Sequence, residues 1–97
     1  NPDDAEALSM AAHCNARLGN RDKALELDAR AREITFDNMY VYYNSALVHA
    51  QFGMTDEALE ALERAVALDY QVDLLPLDPA FVDLRAEERF KRLVDKP

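Results

Sequence analysis

Apolar residues recur along this chain in steps of three and four, and the pattern runs twice. Ala24, Leu27, Ala31 and Ile34 fall on one helical face, and Ala58, Ala65 and Leu68 repeat that register further on. Polar or turn-forming residues interrupt the runs at Gly19-Asn20, Asp37-Asn38 and Gly53. The spacing predicts four helices. The first is capped by Asp3 or Asp4 and runs to about Leu18, and the second is capped by Asn20 and runs to about Ile34. The third spans Met39 to Phe52, and the fourth is capped by Thr55 and runs to about Leu68. Gly19 and Gly53 stand 34 residues apart, each where a helix ends through a left-handed residue. Asp22/Asp56, Ala24/Ala58, Leu25/Leu59, Glu26/Glu60 and Ala31/Ala65 recur at the same offset. Self-similarity at that period marks stacked helical hairpins.

Small residues carry the expected packing. Ala12 and Ala46 lie in the first helix of each pair, and Ala24, Ala31, Ala58 and Ala65 in the second, where short side chains let two helices approach closely. Leu8/Tyr42, Leu18/Phe52 and Ile34/Leu68 are expected to fill the space at the helix ends. Each pair leaves an apolar flank for its neighbour to cover.

Beyond Leu68 the period fails. Val72-Asp73-Leu74-Leu75-Pro76-Leu77 is too proline-broken for a long helix, and Asp78-Pro79 reads as a cap and first helical residue of a short turn carrying Phe81 and Leu84. A last helix is expected from Ala86 to about Val94, with Phe90 and Leu93 inward and Glu87-Glu88 paired with Lys91-Arg92. Residues 73–97 thus read as a C-terminal cap, because the end of a stack must cover its final apolar face.

Composition changes the picture only by exclusion. Ninety-seven residues, 49% of them hydrophobic, make one small globular domain. A net charge of −8 argues against nucleic acid and anionic membranes, which both require clustered cations. No apolar run approaches the ~20 residues that span a bilayer. Cys14 is alone, which leaves no intrachain disulfide and no cysteine metal cage, and fits a cytoplasmic location. Asn1-Pro2-Asp3-Asp4 reads as the tail of an earlier unit or a linker, so the chain is expected to be a piece of something longer.

Candidate chemistry is sparse. His13, Cys14 and His49 are the reactive side chains, but neighbours on a helix diverge by about a hundred degrees, so His13 and Cys14 face different ways. Cys14 is expected as a small buried filler and His49 as a semi-buried packing residue. Glu57, Glu60 and Glu63, like Asp3, Asp4 and Glu6, read as solvated helix faces. The expectation is a non-enzyme without cofactor or metal. Tyr40, Tyr43, Asn44 and Leu47 share one helical surface, and tyrosines supply large contact area with a polar tip.

These motifs resemble the tetratricopeptide repeat, matched over two units, residues 5–38 and 39–72. The resemblance implies an all-α, right-handed α-α superhelix of antiparallel helix pairs. Three positions depart from the family pattern. Phe36 and Tyr70 replace its usual proline, Ala11 and Ser45 replace a larger residue, and Asp28 stands where unit two has Leu62. Arg32, one turn beyond Asp28, is the partner available for that charge. The run from Asp78 to Phe90 is similar to the endings of tetratricopeptide segments in multidomain bacterial signalling and regulatory proteins.

By position, the resemblance places Glu6, Ser9, His13 and Arg17 from the first unit, and Tyr40, Tyr43, Asn44, Leu47 and Gln51 from the second, along a concave groove that receives peptides. The Lys/Asn clamp of the chaperone-binding members is not expected, since Ser9 and His13 occupy its first-unit positions and only Asn44 matches. The expected function is a protein–protein interaction scaffold that binds a peptide or partner domain. The alternative is a structural spacer, or a segment that forms a homodimer through its exposed terminal repeat face.

Overall fold

The computed structural model describes residues 4–95. It is an all-α domain of two antiparallel helix pairs closed by an irregular C-terminal segment. Helix α1 (Ala5–Arg17) pairs with α2 (Arg21–Ile34), and α3 (Met39–Gln51) with α4 (Thr55–Ala67). Two short 3-10 segments, Val72–Leu77 and Pro79–Leu84, lead into α5 (Glu88–Val94). Asn1, Pro2 and Asp3, expected as the tail of an earlier unit, lie outside the described residues.

The turns within each pair are built alike. After α1, the N–H of Gly19 donates to the Ala16 carbonyl and that of Asn20 to the Asn15 carbonyl, with Gly19 at φ 81°. After α3, Gly53 and Met54 repeat both bonds on Ala50 and His49, with Gly53 at φ 69°. This closure satisfies carbonyls that a helix end would otherwise orphan. It also uses the N–H groups of Asn20 and Met54 for the turn. Neither expected side-chain cap forms: Asn20 stands at the N-cap of α2 but its amide donates to Oδ1 of Asn15 at 3.2 Å, and Thr55 is already the first helical residue of α4. Asp4 does cap α1, accepting from the Ala7 N–H at 3.1 Å, and Asn38 caps α3.

The alanine positions hold the pairs together. Ala12, Ala16, Ala24, Ala31, Ala46, Ala58 and Ala65 are all buried, so the helix backbones meet closely. One apolar cluster lies within the first pair and takes in Val41 and Val48 of α3. A second joins Leu47, Leu59 and Leu62 of the second pair to Leu75, Phe81, Leu84, Phe90 and Leu93 of the C-terminal segment. Between the pairs, the Tyr42 ring faces the Arg32 and Arg64 guanidinium groups at 5.1 and 5.7 Å.

Several expectations are corrected. Leu18 is 75% exposed and Ile34 43% exposed, so neither fills a helix end. Phe52, the counterpart of Leu18, packs against the first pair, whereas the matching flank of α1 has no neighbour. Cys14 lies on that open flank and is exposed rather than buried. The last helix begins at Glu88, and no ion pair joins Glu87 or Glu88 to Lys91 or Arg92 among the described residues. Exposed pairs on so short a helix gain too little to order four long side chains. Instead Arg89 reaches α4, bonding both oxygens of Glu63 at 2.6 and 3.3 Å. Glu63 is thus part of the cap's attachment and not simply a solvated charge. No helix among the described residues is long and apolar enough to cross a membrane.

Candidate functional site

The side of the molecule where α1 and α3 run next to each other carries the residues expected to line a groove. Much of their polar capacity is already used internally. Glu6 accepts from Nδ2 of Asn38 at 3.0 Å, which ties the start of α1 to the cap of α3. Ser9 is fully buried; its hydroxyl donates to the Glu6 carbonyl and accepts from Nδ2 of Asn44 at 3.0 Å. Ser9 and Asn44 therefore stitch the two leading helices together.

Tyr43 is engaged on three sides. Its hydroxyl donates to the Asp78 carboxylate, its ring stacks on Tyr70 at 4.6 Å, and Phe81 meets it edge-on at 5.9 Å. Burial first, and then the bond to Asp78, push its phenol well above the ordinary tyrosine range. Tyr70 stands just after α4, and Asp78 and Phe81 belong to the C-terminal segment, so Tyr43 joins three elements. Tyr40, three residues earlier on α3, stays 51% exposed.

The open part of this face is a depression of about 270 Å³ lined by His13, Leu47, Ala50, Gln51, Pro79, Ala80, Val82 and Asp83. Its walls are α1, α3 and the Pro79–Leu84 segment, and the Asp78 cap fixes the third wall by accepting from the Ala80 N–H at 3.0 Å. Leu47, Ala50, Pro79, Ala80 and Val82 contribute apolar side chains and His13, Gln51 and Asp83 polar ones, so the exposed lining is mixed, with slightly more polar than apolar surface. Burial, reinforced by the charge of Arg17, lowers the His13 pKa from 6.5, while Asp78 opposes the shift. The imidazole is accordingly neutral at pH 7.

Of the nine groove residues expected from sequence, the depression gathers His13, Leu47 and Gln51. Arg17 lines a separate hollow with Cys14 and Leu18. Pro79, Ala80, Val82 and Asp83 were missed because they belong to no repeat unit. The Asp-Pro cap marks their local turn, but nothing in the pattern says that this turn docks on α3.

The remaining candidate chemistry lies apart. His49 is buried, and its Nδ1 donates to the Ser45 carbonyl at 2.7 Å. Among the described residues, no three His, Cys, Asp or Glu side chains are placed to hold a metal ion. No family model matches this sequence, and neither a curated protein nor a solved structure shows significant similarity to it.

Proposed function

We propose that this domain is a protein–protein interaction module of the tetratricopeptide-repeat type, receiving a peptide or partner segment on the face between α1, α3 and Pro79–Leu84. The observation that carries this reading is the depression itself: a mixed polar and apolar lining, with His13, Gln51 and Asp83 among apolar side chains, on helices locked by Ser9–Asn44 and Tyr43–Asp78. A surface held rigid before contact loses little entropy on binding. The repeat of paired helices at a 34-residue offset supports the family reading and a right-handed superhelical stack. The net charge of −8, with Asp83 exposed in the lining, favours a partner segment carrying basic residues.

The test is a fluorescence titration of the whole chain against an array of twelve-residue (~12) peptides graded in charge, which span the site at roughly 3.3 Å per residue. Ala80→Trp and Gln51→Trp fill the depression from opposite walls without touching the buried core. Both abolish binding of the peptides that the unmodified chain captures, and Ala29→Trp on the exposed side of α2 does not. Peptides that bind all three variants equally would place the site elsewhere.

A second reading, self-association, rests on the uncovered flank of α1, where Met10, Cys14 and Leu18 are exposed. Sedimentation over a hundredfold (~100-fold) concentration range separates the two, since a dimer's population tracks concentration. Met10→Glu abolishes any dimer formed through this flank, and a strict monomer at every concentration removes the second reading.

A further inference from the structure

The seam between α2 and α3 contains a polar cluster that the groove does not use. Asp28, on α2, is 3% exposed, and Ser45 and His49, on α3, are buried beside it. Oδ1 of Asp28 is buried and makes no hydrogen bond. The Ser45 hydroxyl is the group that most eases the carboxylate's charge, followed by His49 and then Arg32. Arg32, the partner expected from sequence, does not pair with it: the guanidinium lies over the Tyr42 ring and 3.8 Å from Glu60 of α4. The α1 residues buried in the same pair are Ala5, Leu8, Ser9, Ala12 and Ala16, none of them ionisable. His49 Nδ1 carries its proton toward the Ser45 carbonyl, because a carbonyl oxygen only accepts.

A carboxylate enclosed in this way, without a cation bonded to it, is far more stable as the neutral acid. We propose that Asp28 is a proton-operated joint between the two helix pairs: the folded chain holds a proton there, and its release to solvent loosens the seam of α2 against α3. Burial raises the carboxyl from its usual 3.8, which is the same direction as the geometry. The stabilising effect of the held proton is complete below the unfolded value and is lost as the pH rises through the folded one. His49 acts in opposition, since a positive imidazole would favour the anion. The counterpart of Asp28 in the second pair is Leu62, which is fully buried and titrates nothing.

The experiment follows the Asp28 carboxyl carbon by NMR through a pH titration of the whole chain, alongside urea unfolding of the unmodified protein and Asp28→Asn. The midpoint is expected above 3.8, and His49→Gln moves it higher. Relative to Asp28→Asn, the folding equilibrium constant of the unmodified chain falls by up to about tenfold per pH unit across the window between the unfolded and folded midpoints. Asp28→Leu removes that slope while keeping the helices. A midpoint at or below 3.8, or parallel stability curves for the unmodified chain and Asp28→Asn, would overturn the proposal. Should Asp28→Asn fail to fold, the carbon titration of the unmodified chain decides alone.

Discussion

The hydroxyl of Tyr43 on α3 donates to the carboxylate of Asp78, 35 residues further along the chain. That bond ties the irregular C-terminal segment to the second helix pair and sets one wall of the depression. Tyr43→Phe keeps both aromatic contacts and removes only the donor. The expected cost is about 1–2 kcal/mol, toward the low end for a bond to a charged group because the site is half-buried. Chemical denaturation measures it. The phenol's raised pKa means that its stabilising effect is full below pH 10.0 and is lost as the pH rises through the folded value. An ultraviolet titration should therefore show Tyr43 ionising only above its ordinary value of 10.0.

Ala58 is fully buried where α4 crosses α3. Ala58→Leu has no room and is expected to cost at least about 1–3 kcal/mol through overpacking, while Ala29→Leu on an exposed face is nearly neutral. Thermal melts of the two variants make the comparison. Equal melting temperatures would mean that the helices do not meet at this alanine.

Gly53 has φ 69°, and nothing lies within 4 Å of where a Cβ would stand. The cost of Gly53→Ala is thus backbone strain alone, roughly 1–2 kcal/mol. Asp69 adopts φ 79° in the corresponding closure after α4, where Asp69 and Tyr70 donate to Val66 and Ala65. Asp69→Gly relieves that strain and is expected to stabilise the chain by up to about 1 kcal/mol.

His13 has a lowered pKa, so the folded chain resists its protonation. The stability linked to it is present above the unfolded value of 6.5 and is lost as the pH falls through the folded one. Proton NMR of the imidazole should give a midpoint below 6.5, and His13→Gln should remove that part of the acid loss.

Cys14 is exposed on the flank of α1, so a thiol reagent should modify it in the native protein without denaturant. Modification only after unfolding would mean that another surface covers the flank in solution. Mass spectrometry of the native, labelled chain distinguishes the two.

The paired helices were legible because their signals are local. Alanines at helical spacing and two glycines at one offset are properties of short stretches, and their burial follows from which face of each helix meets its partner. Contacts between distant stretches were not legible. The pattern marked Asp78 as a cap but could not show its carboxylate reaching Tyr43, nor Arg89 choosing Glu63 over a neighbour on its own helix. Leu18 and Cys14 carried an apolar signature that periodicity alone reads as buried. Whether such a face is covered depends on whether a neighbour stands beside it, and α1 has none where α3 has α1. Asp28 broke the pattern visibly, and its surroundings needed coordinates because Arg32 turns toward Tyr42 and Glu60.

The C-terminal segment lays Leu75, Phe81, Leu84, Phe90 and Leu93 over the trailing face of the second pair. That trailing face is therefore already occupied by the chain's own residues, whereas the α1 flank leaves Met10, Cys14 and Leu18 exposed, so the two sides of the described stack present different surfaces.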